Sequence, residues 1–203
     1  MSLILRMKSI IKLLLSLGRP MNMRELGARS YIAWPRKLEG KKHISIGADV
    51  TIGSFSWLAA YETYQHFHYR PMLGIGDHVI IGRHSCITAI DKVAIGKGCL
   101  LSEYVYISDH FHQNDPGEVP LVEQPLVSKG PVVIENNCFL GYRSAVLSGV
   151  KLGAHCIVGA HSVVTHSFPE YSMVAGAPAR LIKKYCMKTR QWESLENLEK
   201  IST

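Results

Sequence analysis

A beat of six residues constrains this chain more than any other feature. From Ile46 onward an aliphatic residue returns at every sixth position, most often with glycine or another small residue after it. The series runs Ile46-Gly47, Ile52-Gly53, Ile75-Gly76, Ile81-Gly82 and Ile87-Thr88. The phase slips by two residues and resumes at Ile95-Gly96, Leu101-Ser102 and Ile107-Ser108. After a gap it returns as Ile134, Leu140-Gly141, Val146, Leu152-Gly153, Val158-Gly159 and Val164-Thr165. This period fits neither a helix nor an alternating strand. It is the pattern of a parallel β-helix, in which each hexad supplies one short strand and a corner.

The chemistry of the positions agrees. Position one is a branched aliphatic able to fill an interior. Position two is usually glycine, which is expected to tolerate the backbone angles of a corner. Position five is small or β-branched, as at Val50, Ser56, Val79, Ser85, Cys99, Val105, Cys138, Ser144, Val150, Cys156 and Ser162. Positions one and five are expected to point inward together, with stability shared along the stack.

Hexads of the form Ile-Gly-x-x-(Ser/Val/Cys)-x resemble those of the hexapeptide-repeat acyltransferases. Within that family the chain is most similar to the galactoside and maltose acetyltransferases and the O-acetyltransferases that decorate surface polysaccharides. The resemblance covers roughly residues 44–184. It implies a left-handed parallel β-helix. The hand comes from the resemblance alone, since the general rule for parallel crossovers favours the opposite sense.

A length of 203 residues suits one domain. A hydrophobic fraction of 47% with 19% charged residues is that of an ordered globular chain. The formal charge of +7 points to anionic partners: a nucleotide-like cofactor, an acidic glycan or an anionic membrane face. Nucleic acid is disfavoured, because the basic residues are scattered and no nucleic-acid motif accompanies them. The five cysteines form no CxxC pair, and three of them (Cys99, Cys138, Cys156) occupy position five. Free buried thiols in a reducing compartment are the expectation.

Residues 1–43 read as an N-terminal segment without repeats. Within it, residues 1–19 place Leu3, Ile4, Met7, Ile10, Ile11, Leu14 and Leu15 at helical spacing, interrupted by Arg6, Lys8 and Lys12. A signal peptide and a spanning helix are both disfavoured. The segment suits a helix capping the open end of the coil, or one lying on a membrane interface. The coil is expected over 44–184. An aromatic and histidine-rich insertion interrupts it from Leu58 to Met72, and a long loop over 108–131. A loop of that length in a compact domain is usually functional. Residues 185–203 read as a tail with a short charged helix from about Met187 to Ile201.

Among possible catalytic groups, His110 stands out, in Ser108-Asp109-His110-Phe111-His112 where a hexad exits into the long loop. Histidine ordinarily titrates near neutrality, which suits proton transfer. The resemblance makes His110 the general base that takes the proton of an acceptor hydroxyl, with His112 as runner-up or substrate contact. His84 falls near a family position that touches substrate. His78, His84, His155 and His161 all occupy position four, a corner, so solvated corner residues are favoured there over a zinc site.

The resemblance also implies a site for acetyl-CoA. Asn136-Asn137-Cys138-Phe139-Leu140-Gly141-Tyr142 is similar to the family's Asn-Asn-x-Trp-Ile-Gly-x. Phe139 would line the pantetheine channel, and Gly141-Tyr142 would offer a backbone N–H to the thioester carbonyl. Ala160 and Thr165, within Val158-Gly159-Ala160-His161-Ser162-Val163-Val164-Thr165, would contact the pantetheine arm and adenine end through backbone groups. Gly176-Ala177-Pro178-Ala179-Arg180 resembles the family's terminal signature, which assigns Arg180 and Lys183 to the 3′-phosphate of CoA.

The expected activity is therefore transfer of acetyl from acetyl-CoA to a sugar hydroxyl of a glycan or its precursor, with no metal. A cytoplasmic homotrimer is expected, with sites between neighbouring coils, at the inner face of the membrane if residues 1–19 touch lipid. N-acetylation of an amino sugar is one alternative. A non-catalytic or metal-binding β-helix of the γ-carbonic-anhydrase type is another.

Overall fold

The computed structural model describes residues 23–34 and 36–194, so the helix expected over 1–19 lies outside the described residues. The described chain winds as a left-handed parallel β-helix with three flat faces. Face A stacks Glu25–Leu26, Ile44–Ile46, Met72–Ile75, Lys92–Ile95, Val132–Ile134 and Lys151–Leu152. Face C stacks Lys37–Glu39, Trp57–Ala60, Cys86–Ala89, Tyr106–Ser108, Ala145–Val146 and Val163–Val164. Face B runs from Tyr31–Ile32 through Thr51–Ile52, Ile80–Ile81, Leu100–Leu101, Phe139–Leu140 and Ile157–Val158 to Ser172–Gly176.

Register explains the hexad. Position-one residues stack on one another: Leu26, Ile46, Ile75, Ile95, Ile134 and Leu152 form one column on face A. Ile32, Ile52, Ile81, Leu101, Leu140, Val158 and Val174 form another on face B. These columns meet inside, and the named position-five residues are also buried, at 1% exposure or less. Burial of so many aliphatics supplies the main drive, at about 2 kcal/mol for each fully buried side chain before entropy is subtracted. The position-five thiols of Cys99, Cys138 and Cys156 are free and buried, and each donates to a backbone carbonyl of a neighbouring coil.

The corner works differently from the expectation. The left-handed backbone falls at position four, with φ near +57° at Asp49, His78, His84 and His161, and similar values at Phe55, Tyr104, Asn137, Arg143 and His155. Glycine at position two answers another need, close approach between coils. A Cβ on Gly53 would lie 2.6 Å from Arg83 N, and one on Gly141 would lie 2.6 Å from Ala160 N.

Three boundaries move. The coil begins earlier than residue 44, because Glu25–Leu26, Tyr31–Ile32 and Lys37–Glu39 already form a rung whose hexads are too irregular to recognise. The insertion is 61–71, since Trp57–Ala60 and Met72–Ile75 belong to the coil. It forms a hairpin, Thr63–Tyr64 against Phe67–His68. The long loop is also ordered, with Phe111–His112 antiparallel to Leu126–Val127. At the far end, Ala179–Cys186 folds back antiparallel on Ser172–Gly176, and Gln191–Ser194 pairs antiparallel with Ala179–Cys186. Residues 187–194 are therefore a turn and a strand, not the start of a helix. The open sheet edge supplies unpaired backbone partners, and Tyr185 pairs across strands with Trp192.

Gly53→Ala should lower stability by about 1–3 kcal/mol, because a methyl has no space against the next coil. Gly74→Ala should change it by less than about 0.5 kcal/mol, since its Cβ would meet nothing within 4 Å. Thermal melts of the two variants followed by circular dichroism check this; equal melting points would refute it.

Candidate active site

Both insertions leave the coil at the same corner, between face C and face A. The segment 61–71 follows Trp57–Ala60, and the long loop follows Tyr106–Ser108. Between them lies the two-residue phase slip, at Ile90 and Asp91. Strands flanking this corner are long, so that Ala60, Ala89, Ile44, Leu73 and Val93 are buried in addition to the hexad positions. The wider corner leaves the N–H groups of Ile90 and Asp91 without the usual rung partners. Asp109 answers them. Its side chain is fully buried, Oδ1 accepts from Ile90 N–H at 3.0 Å, and Oδ2 accepts from Asp91 N–H at 2.8 Å.

Asp109 Oδ1 also lies 2.8 Å from Nδ1 of His110. An ionised carboxylate only accepts, so with Asp109 ionised, Nδ1 carries the ring proton and donates it to Oδ1. That tautomer leaves the Nε2 lone pair free. Ser108 fixes the same residue through its hydroxyl, which donates to His110 O at 2.8 Å and accepts from His110 N–H at 3.2 Å. Ser148 of the next coil donates to Asp109 O at 2.5 Å and accepts from Lys129 N–H at 2.7 Å. One hydroxyl thus holds both ends of the loop. Tyr61 from the insertion meets the His110 ring edge to face at 5.8 Å.

His110 opens on a cleft of about 410 Å³ along the outer side of face C, lined also by Lys37, Glu39, Trp57, Tyr61, Tyr64, Cys86, Thr88, Tyr106, His112 and Leu126. Burial, then the nearby Glu39 carboxylate, pushes the Tyr61 hydroxyl up, and burial pushes the Cys86 thiol up, so both keep their protons near neutrality. His110 is the residue with a free basic nitrogen fixed by a buried partner. His112 shares the cleft, stacked edge to face with Tyr64 at 5.2 Å.

The other expected site residues fall elsewhere. His84 sits at the corner between faces B and C, stacked between Phe55 and Tyr104 at 4.9 and 4.6 Å, and does not line the cleft. Phe139 lies exposed on face B in register with Leu100. Tyr142 and Ala160 are at the corner beyond it, Thr165 follows Val163–Val164, and Arg180 and Lys183 are exposed on the back-folded strand. Of the Gly141-Tyr142 pair, Gly141 N–H is used by Val158 O, which leaves Tyr142 as the candidate donor. Successive hexads turn onto successive faces, so within one chain Phe139, Arg180 and Lys183 on face B cannot gather around His110, while Thr165 leaves face C at the same corner as His110, two coils further on. Among the described residues no three histidine, cysteine or acidic side chains converge as a metal site would require. Asp109, Ser148 and Trp57 were not anticipated. The signal for Asp109 was a carboxylate beside the candidate base at a coil exit, but its partners Ile90 and Asp91 belong to the preceding coil.

Comparison with known proteins agrees with this architecture. The family model "Bacterial transferase hexapeptide (six repeats)" matches residues 131–166. A putative lipopolysaccharide biosynthesis O-acetyl transferase of Escherichia coli, WbbJ, is 32% identical over 80% of this chain and 82% of its own length. A probable acetyltransferase of Mycobacterium tuberculosis is 32% identical over 74% of this chain, which spans only 46% of that protein. Among solved structures, a variant of AntD, an N-acyltransferase from Bacillus cereus in complex with dTDP-4-amino-4,6-dideoxyglucose and coenzyme A, has a TM-score of 0.69. It is 20% identical, with 90% of this chain and 94% of that one covered, a likeness of fold. With hexads that stack in register and a relative matched over most of both lengths, this chain belongs to the bacterial hexapeptide-repeat transferase family.

Proposed function

We propose that this protein is an acyl-CoA-dependent O-acetyltransferase that transfers acetyl from acetyl-CoA to a sugar hydroxyl of a glycan or its precursor. One observation carries the reading: a buried carboxylate, Asp109, holds Nδ1 of His110 at 2.8 Å and so presents Nε2 as a base in an aromatic cleft. The similarity to an enzyme named as an O-acetyl transferase favours a hydroxyl over an amine. Acetyl-CoA supplies the activated acyl group. Nε2 takes the hydroxyl proton as the oxygen attacks, Asp109 stabilises the imidazolium, and the same proton leaves on the thiol product.

Arg180 and Lys183 suit the 3′-phosphate, because both are exposed and neither makes an ion pair among the described residues. They and Phe139 lie on other surfaces than His110, so the complete site joins two protomers of a homotrimer. The apolar stripe of Ile80, Leu100 and Phe139, exposed on face B, is the kind of surface a neighbouring copy would cover. His112 and the cleft aromatics bind the acceptor, Tyr142 offers its backbone N–H to the thioester carbonyl, and Ala160 and Thr165 contact the pantetheine arm and the adenine end. The enzyme works on polysaccharide biosynthesis in the cytoplasm, at the inner face of the membrane if residues 1–19 touch lipid and do not cap the coil. Five free cysteines suit that compartment.

His110→Ala should lower kcat by about 10²-fold or more, the usual worth of a general base. Thiol release from acetyl-CoA with a saccharide acceptor measures it, and an undiminished rate would overturn the assignment. Asp109→Asn should lower kcat while leaving KM for acetyl-CoA unchanged. Asp109→Ala should also cost stability, about 1–3 kcal/mol for each backbone donor orphaned, read by chemical denaturation. Arg180→Ala should raise KM for acetyl-CoA about tenfold, the value of one charge-assisted hydrogen bond. The penalty should vanish with 3′-dephospho-acetyl-CoA, and equal penalties on both forms would show that Arg180 does not meet that phosphate.

A further inference from the structure

The cleft beside His110 is longer than one reacting hydroxyl needs. Its wall is the outward column Lys37–Trp57–Cys86–Tyr106, in register across four consecutive rungs of face C. Neighbouring strands lie about 4.8 Å apart, so the column runs about 14 Å from the level of His110 down to Lys37. The parallel column Glu39–Ala59–Thr88–Ser108 is nearly all small, and Ala59, Thr88 and Ser108 are buried. The result is a trough with a small-residue floor and aromatic walls.

Among the described residues the trough carries almost no net charge. Its one lysine is paired, with Lys37 Nζ 2.8 Å from Glu39 Oε1 and 4.0 Å from the centre of the Trp57 ring. Trp57 Nε1 is buried and has no hydrogen-bond partner among the described residues, so the ring meets a ligand through its face and edge. A diphosphate would need unpaired cations or a cradle of backbone N–H groups. Here it would meet Glu39 and aromatic faces instead. Amphipathic sugar rings fit this lining, with apolar faces against aromatic rings and hydroxyls at the polar edges.

We infer that the acceptor is an uncharged saccharide of more than one ring, laid along face C from His110 toward Lys37, and not a sugar joined to a nucleotide diphosphate. This rests on the acetyl-transfer reading above, but binding can test it apart from catalysis. The full chain, with coenzyme A saturating any nucleotide site, is titrated by NMR with methyl glycosides of glucose, galactose and mannose. The corresponding disaccharides and trisaccharides follow, together with UDP-glucose and UDP-galactose.

In at least one series the trisaccharide should bind about tenfold more tightly than the monosaccharide. That gain should disappear in Trp57→Ala, and also in the exposed-site variant Lys37→Ala, which guards against a folding defect in the first. The UDP-sugars should bind no more tightly than the free monosaccharides. Affinities flat with length in every series, a gain that survives both variants, or UDP-sugars bound tenfold more tightly would each overturn the inference. Thiol release by His110→Ala, measured in parallel, reports separately on the catalytic reading.

Discussion

The rung-to-rung backbone ladder governs everything else in this molecule. Each coil must sit on the last at strand spacing, so every residue has a fixed neighbour in the coil above and below. That is why glycine recurs at position two, where the next coil comes too close for a Cβ at Gly47, Gly53, Gly76 and Gly82, and why Ile46, Ile75 and Ile95 form a continuous column. It also makes the outer surface a lattice of columns. The flat ring stack Phe55–His84–Tyr104 and the wall Lys37–Trp57–Cys86–Tyr106 are both products of register. Function in such a fold is written in columns and in departures from them.

The departures are concentrated at one corner. Two extra residues at Ile90 and Asp91 widen the coil and leave backbone donors that the hexad ladder cannot pair. A buried carboxylate one coil later pairs them, Ile90 N–H through Oδ1 and Asp91 N–H through Oδ2, and Oδ1 also orients His110. Burying an anion is costly unless hydrogen bonds surround it. Here the three N–H groups that stabilise Asp109 include the ring it positions, so structural and chemical roles are not separable at this residue. Ser148 extends the arrangement into the next coil and ties the returning end of the loop to its start.

The coil was legible in the sequence because its period is stated many times, and His110 because it stands at a break in that period. The first rung was not. Leu26, Ile32 and Leu38 keep the spacing, but irregular residues surround them and a single statement of the pattern carries little weight. The final strand was missed for a different reason. Residues 187–194 have a composition that suits a surface helix, and only the open edge of face B, a tertiary feature, selects a strand. At position two the sequence does not distinguish conformational freedom from lack of space, since both call for glycine. Asp109 was overlooked because its partners lie 18 and 19 residues earlier, in a coil whose phase slip looked like an interruption.

The same geometry separates the two halves of the proposed reaction. Arg180 and Lys183, which make no ion pair among the described residues, sit on the back-folded strand of face B, while the cleft on face C holds a lysine already paired with Glu39. An anionic ligand and a neutral one are thereby directed to different surfaces by electrostatics alone. A single coil cannot bring those surfaces together, because they lie on different faces of one rigid prism. Two copies side by side can, with the exposed stripe of Ile80, Leu100 and Phe139 as the apolar surface to be covered. On this reading a fold that repeats itself along its axis gains an asymmetric site by setting one face of a coil against another face of its neighbour.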